Sequence, residues 1–135
     1  MNTNEMMEIV LAGGVLQSKC HGAAAQAGWW NTKNGVDVRD CDPEFFKLWV
    51  GTKLALVHSE ISEGLEGFRK SKMDDHLPHR EMLEVELADA VIRIFDLAGG
   101  LHMNLGAAIA EKLAYNAQRA DHKPENRAKA GGKAF

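Results

Sequence analysis

The chain has 135 residues, is 45% hydrophobic and 26% charged, and carries a formal net charge of −3. That length suits one domain with a single core, and the slightly acidic balance excludes nucleic acid as a partner chosen by bulk charge. Two cysteines, Cys20 and Cys41, without CxxC spacing exclude a disulfide framework and point to a reducing cytoplasm, while "IVLAGGVL" is too short for a membrane span and follows Glu5 and Glu8 rather than the basic flank of a signal peptide.

In chain order, the pattern predicts a first helix over residues 4 to 28, followed by "WWNTKNGVDVRDCDP", a loop rich in Asn, Asp and Gly. Asp42, Pro43 and Glu44 form a helix start, with an N-cap, Pro at the first position and then an acid. Helix two runs from about 43 to 71, and "KSKMDDHLP" links it to helix three, which starts near His79 and stops at Gly99 and Gly100. Asn104 caps a fourth helix over about 105 to 119. "GVDVRD" is too short to build a sheet, so the fold class is all-α, an antiparallel four-helix bundle-like protomer in one domain over 1–120, with a polar basic tail over 121–135. His122, Lys123, Arg127 and Lys133 supply the tail's charge.

Helix two holds an unusual stretch, "LVHSEISEGLEGF", in which Glu60, Glu63 and Glu66 recur one turn apart with Gly64 and Gly67 among them. Glycine inside a helix costs about 1 kcal/mol relative to Ala, and like charges at this spacing repel. Leu54, Val57, Ile61, Leu65 and Phe68 form an apolar stripe with Glu60 and Glu63 on its flank. On helix three the stripe is Leu83, Leu87, Ala90, Ile94 and Leu97, flanked by Glu86 and Asp89. Two acid pairs on neighbouring helices can therefore converge on one pocket. The bland account, a solvated acidic face, fits Glu81, Glu84 and Glu66, the last with Lys70 as its i+4 partner. It fits Glu60, Glu63 and Glu86 badly, because none has a Lys or Arg three or four residues away. Unpaired acids beside a core are costly unless a cation compensates. Oxygen ligands alone suit Mg²⁺ or Mn²⁺ over Zn²⁺, and the absence of any ExxH speaks against a di-iron bundle.

"EISE" (60 to 63) and "ELAD" (86 to 89), 22 residues apart, resemble the ExxE and ExxD motifs of the MazG-like nucleoside triphosphate pyrophosphohydrolases. The surrounding "KLALVHSEISEGLEGFRK", "EVELADAVIRIFDLAG" and "EKLAYNAQR" occur in that group's order, and "HGAAAQAGWW" and "GGKAF" are similar to the first helix and the ending of its small forms. The resemblance covers most of the chain from about residue 20, apart from the loop 31 to 43, and the tail is longer than in many relatives. It implies Mg²⁺-dependent conversion of an NTP or dNTP to the monophosphate and pyrophosphate. It also implies Glu60, Glu63, Glu86 and Asp89 as metal ligands, Lys112 and Asn116 as helix-four phosphate or metal-shell contacts, and assembly as a homodimer or homotetramer.

Other residues are weighed on chemistry. Glu63, toward the outer side of its pair, is the candidate general base. Lys112, Asn116 and Arg119 fall at i, i+4 and i+7, a face for pyrophosphate or a plain solvated stripe. Trp29 or Trp30 can stack on a base, although packing is the commoner role for either. Trp49 and Phe46 read as packing residues of helix two, and Arg93 as the group that orients Asp89 and Asp96. The alternative to an enzyme is a non-catalytic helical interaction module with an acidic solvated face.

Overall fold

A computed structural model describes residues 1–131; Lys133 and the last four residues of "GGKAF" lie outside them. Among the described residues the chain is helical, with no strand. The α-helices are α1 (Thr3–Gln26), α2 (Pro43–Arg69), α3 (Met82–Gly100), α4 (Leu105–Gln118) and α5 (Pro124–Arg127), with single 3₁₀ turns at Val38–Asp40 and Ala120–His122. No helix is long and apolar enough to cross a membrane. The helix-two start is as read: Asp42 accepts from the backbone N–H of Glu44 and Phe45, and Pro43 opens the helix. Helix three begins later than His79. Asp74 accepts from the N–H of His76 and Leu77, and the Met82 N–H reaches back to the Lys72 carbonyl, so a folded loop uses residues up to 81.

Contacts group the chain into two units, Leu16–Met103 and Met1–Val15 with Asn104 onward. In the second of these, Gly13 and Gly106 meet backbone to backbone, and a Cβ on Gly13 would stand 2.5 Å from Gly106 Cα.

In Leu16–Met103, α2 and α3 pack antiparallel. The contact seam on α2 is Lys53, Val57, Glu60, Gly64 and Gly67, facing Met82, Glu86, Ala90, Arg93 and Leu97 of α3. This corrects the expected stripe: Leu54, Ile61, Leu65 and Phe68 are 51%, 49%, 59% and 66% exposed, as are Leu87 and Ile94 by 48% and 41%. The reason is the glycines. A Cβ at Gly64 would sit 3.3 Å from Glu86 Cβ, and one at Gly67 2.7 Å from Met82 Cγ, so only a glycine face lets the two backbones approach this closely. The leucine face of α2 is thereby rotated about 90° away from the seam, and on α3 Leu87 and Ile94 turn outward while Ala90 and Leu97 of the expected stripe stay buried.

Trp30, Val38 and Leu97 form the buried core at one end of this pair, with Ala24, Phe46, Trp49, Val50 and Leu101 against it. Gly28, at φ +79°, ends the α1 segment and turns Trp30 inward; Val38 N–H then bonds the Trp30 carbonyl and closes the intervening loop.

Candidate metal centre and adjoining cavity

Glu60 and Glu63 are set on α2 and Glu86 on α3 so that one carboxylate oxygen from each lies within 4.8 Å of the others. Glu60 and Glu86 lie on the seam and are 6% and 8% exposed, whereas Glu63 faces outward. Three acids from two helices can thus share one cation, and hard oxygen donors of this kind fit Mg²⁺ or Mn²⁺. Asp89, the fourth expected ligand, is outside that set, half-buried on the same side of α3 and lining the adjoining cavity.

Arg93 corrects the sequence reading. Its Nε donates to Glu60 Oε1 at 2.5 Å, so it bridges the helices instead of reaching Asp96. Asp96 has its own partners: Trp30 Nε1 at 2.7 Å and His21 Nδ1 at 3.0 Å on Oδ1, and Lys53 Nζ at 3.3 Å on Oδ2. Trp30 is 2% exposed and cannot offer a face to a base, whereas Trp29 is 68% exposed and lines the cavity.

The helix-four candidates belong to the other unit. Lys112 Nζ lies 4.7 Å from the Tyr115 ring centroid. Asn116 Oδ1 is buried without a hydrogen-bond partner among the described residues. Arg119 is not on the face expected of it: α4 stops at Gln118, and the Arg119 guanidinium donates to Asp121 at 2.9 and 2.6 Å.

Burial, a hydrogen bond shared with Glu60 and the charges of Glu63, Glu60 and Asp89 push the Glu86 carboxyl up to about 7. Burial and the Glu60 charge also raise Asp89, against an opposing pull from Arg93. Glu86 therefore holds a proton more tightly when folded than when unfolded. Its contribution to stability is full below the ordinary carboxylate range and is lost as pH rises through about 7. The metal-free chain should show a falling melting temperature between about pH 5 and 8 in EDTA, and Mg²⁺ should reduce the fall, because a cation takes the proton's place. Thermal melts by circular dichroism check this, with Glu86→Gln expected to flatten the dependence.

The cavity beside these acids has a volume of about 540 Å³ and runs along α1, α2 and α3 from Asp89 and Arg93 to Lys53 and Asp96. Cys20 is on its wall, with its thiol pushed up by burial and by Asp96, which keeps it neutral and a poor nucleophile. Sequence reasoning missed Lys53 and Asp96 as cavity groups, and His21 as a partner of Asp96. The signal was there: Lys53 stands seven residues before Glu60, and Asp96 seven after Asp89, each two turns along the same side of its helix.

No family model matches this chain, and neither a curated protein nor a solved structure is significantly similar to it.

Proposed function

We propose that the chain is a Mg²⁺-dependent nucleoside triphosphate pyrophosphohydrolase, cleaving the α–β phosphoanhydride of an NTP or dNTP to give the monophosphate and pyrophosphate. The observation that carries this reading is the meeting of Glu60, Glu63 and Glu86 across the α2–α3 seam, two of them withdrawn from water. The alternative, a non-catalytic interaction module with an acidic solvated face, would leave such groups in solvent. The resemblance of "EISE" and "ELAD" to the MazG-like motifs names the reaction; the acid geometry is compatible with it.

When bound, Mg²⁺ supplies charge neutralisation at phosphate oxygens and a more acidic water. The chain's own groups divide the remaining work. Glu60 is tied to Arg93 and Glu86 is buried on the seam, which leaves the exposed Glu63 as the least encumbered carboxylate and the best placed to take a proton from the attacking water. Arg93, 40% exposed by its side chain, keeps donors on the cavity side for a phosphate oxygen. The test is a Mg²⁺ titration by calorimetry, followed by a pyrophosphate-release scan of the eight common NTPs and dNTPs. No saturable Mg²⁺ binding together with no release from any of them sinks the reading.

Homo-oligomerisation belongs to the same proposal. Leu54, Ile61, Leu65 and Phe68 on α2 and Leu87, Val91 and Ile94 on α3 lie to one side of the seam, while Glu63 and Asp89 lie to the other. An apolar patch built from two antiparallel helices is self-complementary, as a two-fold interface requires, so a second copy is its proposed occupant. Leu65→Glu should shift the mass in light scattering from dimer or larger to monomer; a wild-type monomer at micromolar concentration refutes this part.

A further inference from the structure

Arg93 has a choice of acids. Asp89 stands four residues before it on α3, a spacing at which opposite charges pair along a helix, yet Nε donates across the seam to Glu60 Oε1 at 2.5 Å. The choice follows burial. Glu60 is buried and Asp89 only half-buried, and an ionised carboxylate needs a partner most where water reaches it least. Glu60 is also one of the three acids whose oxygens meet. The chain's own cation and a bound one would therefore compete for the same carboxylate. The Lys53–Asp96 pair is built differently. The Lys53 side chain is 15% exposed, and its ammonium is held 4.9 Å from the Trp49 ring and 5.6 Å from that of Trp30. The Arg93 side chain is 40% exposed and lines the cavity, and its one hydrogen bond among the described residues is through Nε. Its two terminal nitrogens keep their donors for another acceptor.

We propose that Arg93 is the stand-in cation of the metal centre, and that its passage from Glu60 to a phosphate group couples metal loading to phosphate capture. The inference rests on the Mg²⁺-dependent hydrolase reading and adds to it an order of binding. In the metal-free chain Arg93 compensates the Glu60 charge, so the seam between α2 and α3 tolerates a buried carboxylate there. With a divalent ion sharing Glu60, the guanidinium faces a like charge on its own acceptor and its hold weakens. Arg93 then turns its planar fork to the cavity, where it suits the oxygens of a phosphate. A phosphate arriving first meets the uncompensated charge of Glu63 and an arginine already engaged. Metal first and phosphate second is the order these charges favour.

Calorimetry with Mg²⁺ alone, without nucleotide, separates this role from a merely supporting one. Arg93→Met removes the competing charge and should bind Mg²⁺ about tenfold more tightly than wild type, the scale of one hydrogen bond to a charged group. Arg93→Lys keeps the charge and should stay near wild type. A residue that only orients Glu60 predicts the reverse, weaker Mg²⁺ binding in Arg93→Met, and that result overturns the proposal. With Mg²⁺ present, inorganic pyrophosphate should bind Arg93→Met about tenfold more weakly than wild type; equal binding overturns it too. The wild-type protein supplies a test that no variant's folding can spoil. In ¹⁵N spectra the Arg93 Nε–H resonance should move as Mg²⁺ saturates the protein, and an unmoved resonance overturns this inference alone. No saturable Mg²⁺ binding overturns it together with the hydrolase reading. A failure of pyrophosphate release with the Arg93 shift intact would count against the hydrolase and not against the exchange of partners.

Discussion

Glu63→Ala and Asp89→Ala should each lower Mg²⁺-dependent pyrophosphate release by about 10²–10⁴-fold while leaving the fold intact. Both side chains point away from the core, Glu63 exposed and Asp89 half-buried, so neither leaves a cavity. The stability effect even has a favourable sign. The charges of Glu63 and Asp89 help push Glu86 up, which means that they repel it, and removing either relaxes the cluster. A melting temperature equal to or above wild type, paired with lost turnover, is the expected combination. Retained turnover in both variants would leave Glu63 without its proposed role as base and Asp89 without the metal-ligand role that the resemblance implies.

The second large effect concerns stability. Gly100→Ala should cost about 3 kcal/mol, the upper end of overpacking penalties, because the added Cβ would fall 1.9, 2.1 and 2.5 Å from three carbons of the Trp30 six-membered ring. That ring cannot yield: it is 2% exposed, its Nε1 is fixed on Asp96, and Trp49 stands 4.5 Å away, centroid to centroid. Gly51→Ala is the matched control. It lies inside α2 with nothing within 4 Å of its Cβ position, so the substitution should stabilise by about 0.5–1 kcal/mol through backbone entropy alone. Thermal and urea melts of the two variants side by side check the pair, and a Gly100→Ala protein as stable as wild type would refute the Trp30 packing.

The first four helices, the Asp42 cap and the acids on one side of α2 and α3 were legible, because each follows from spacing and capping chemistry local to one helix, whereas the short α5 within the expected tail was not. The seam was not. Leu54, Ile61, Leu65 and Phe68 satisfy the helical period as well as Glu60, Gly64 and Gly67 do, and hydrophobicity favours the wrong set. What decides is the distance two backbones can reach, a property of the pair that neither helix displays alone. Arg93 illustrates the same limit: its i−4 and i+3 acids were visible in the sequence, yet it bonds Glu60 across the seam. Trp29 and Trp30 diverge because Gly28 turns the chain at φ +79°, which composition hinted at without saying which ring goes inward.

The division of the chain also has an optical consequence. All three tryptophans fall within Leu16–Met103, and the single tyrosine, Tyr115, falls in the other unit, while α1 contributes backbone to both. Emission excited in the indole band thus reports one unit, and far-ultraviolet ellipticity reports the two together. Superimposable denaturation curves from the two signals would mean that the 24-residue α1 transmits unfolding from one unit to the other as a single rod, and separated curves that it frays at their junction.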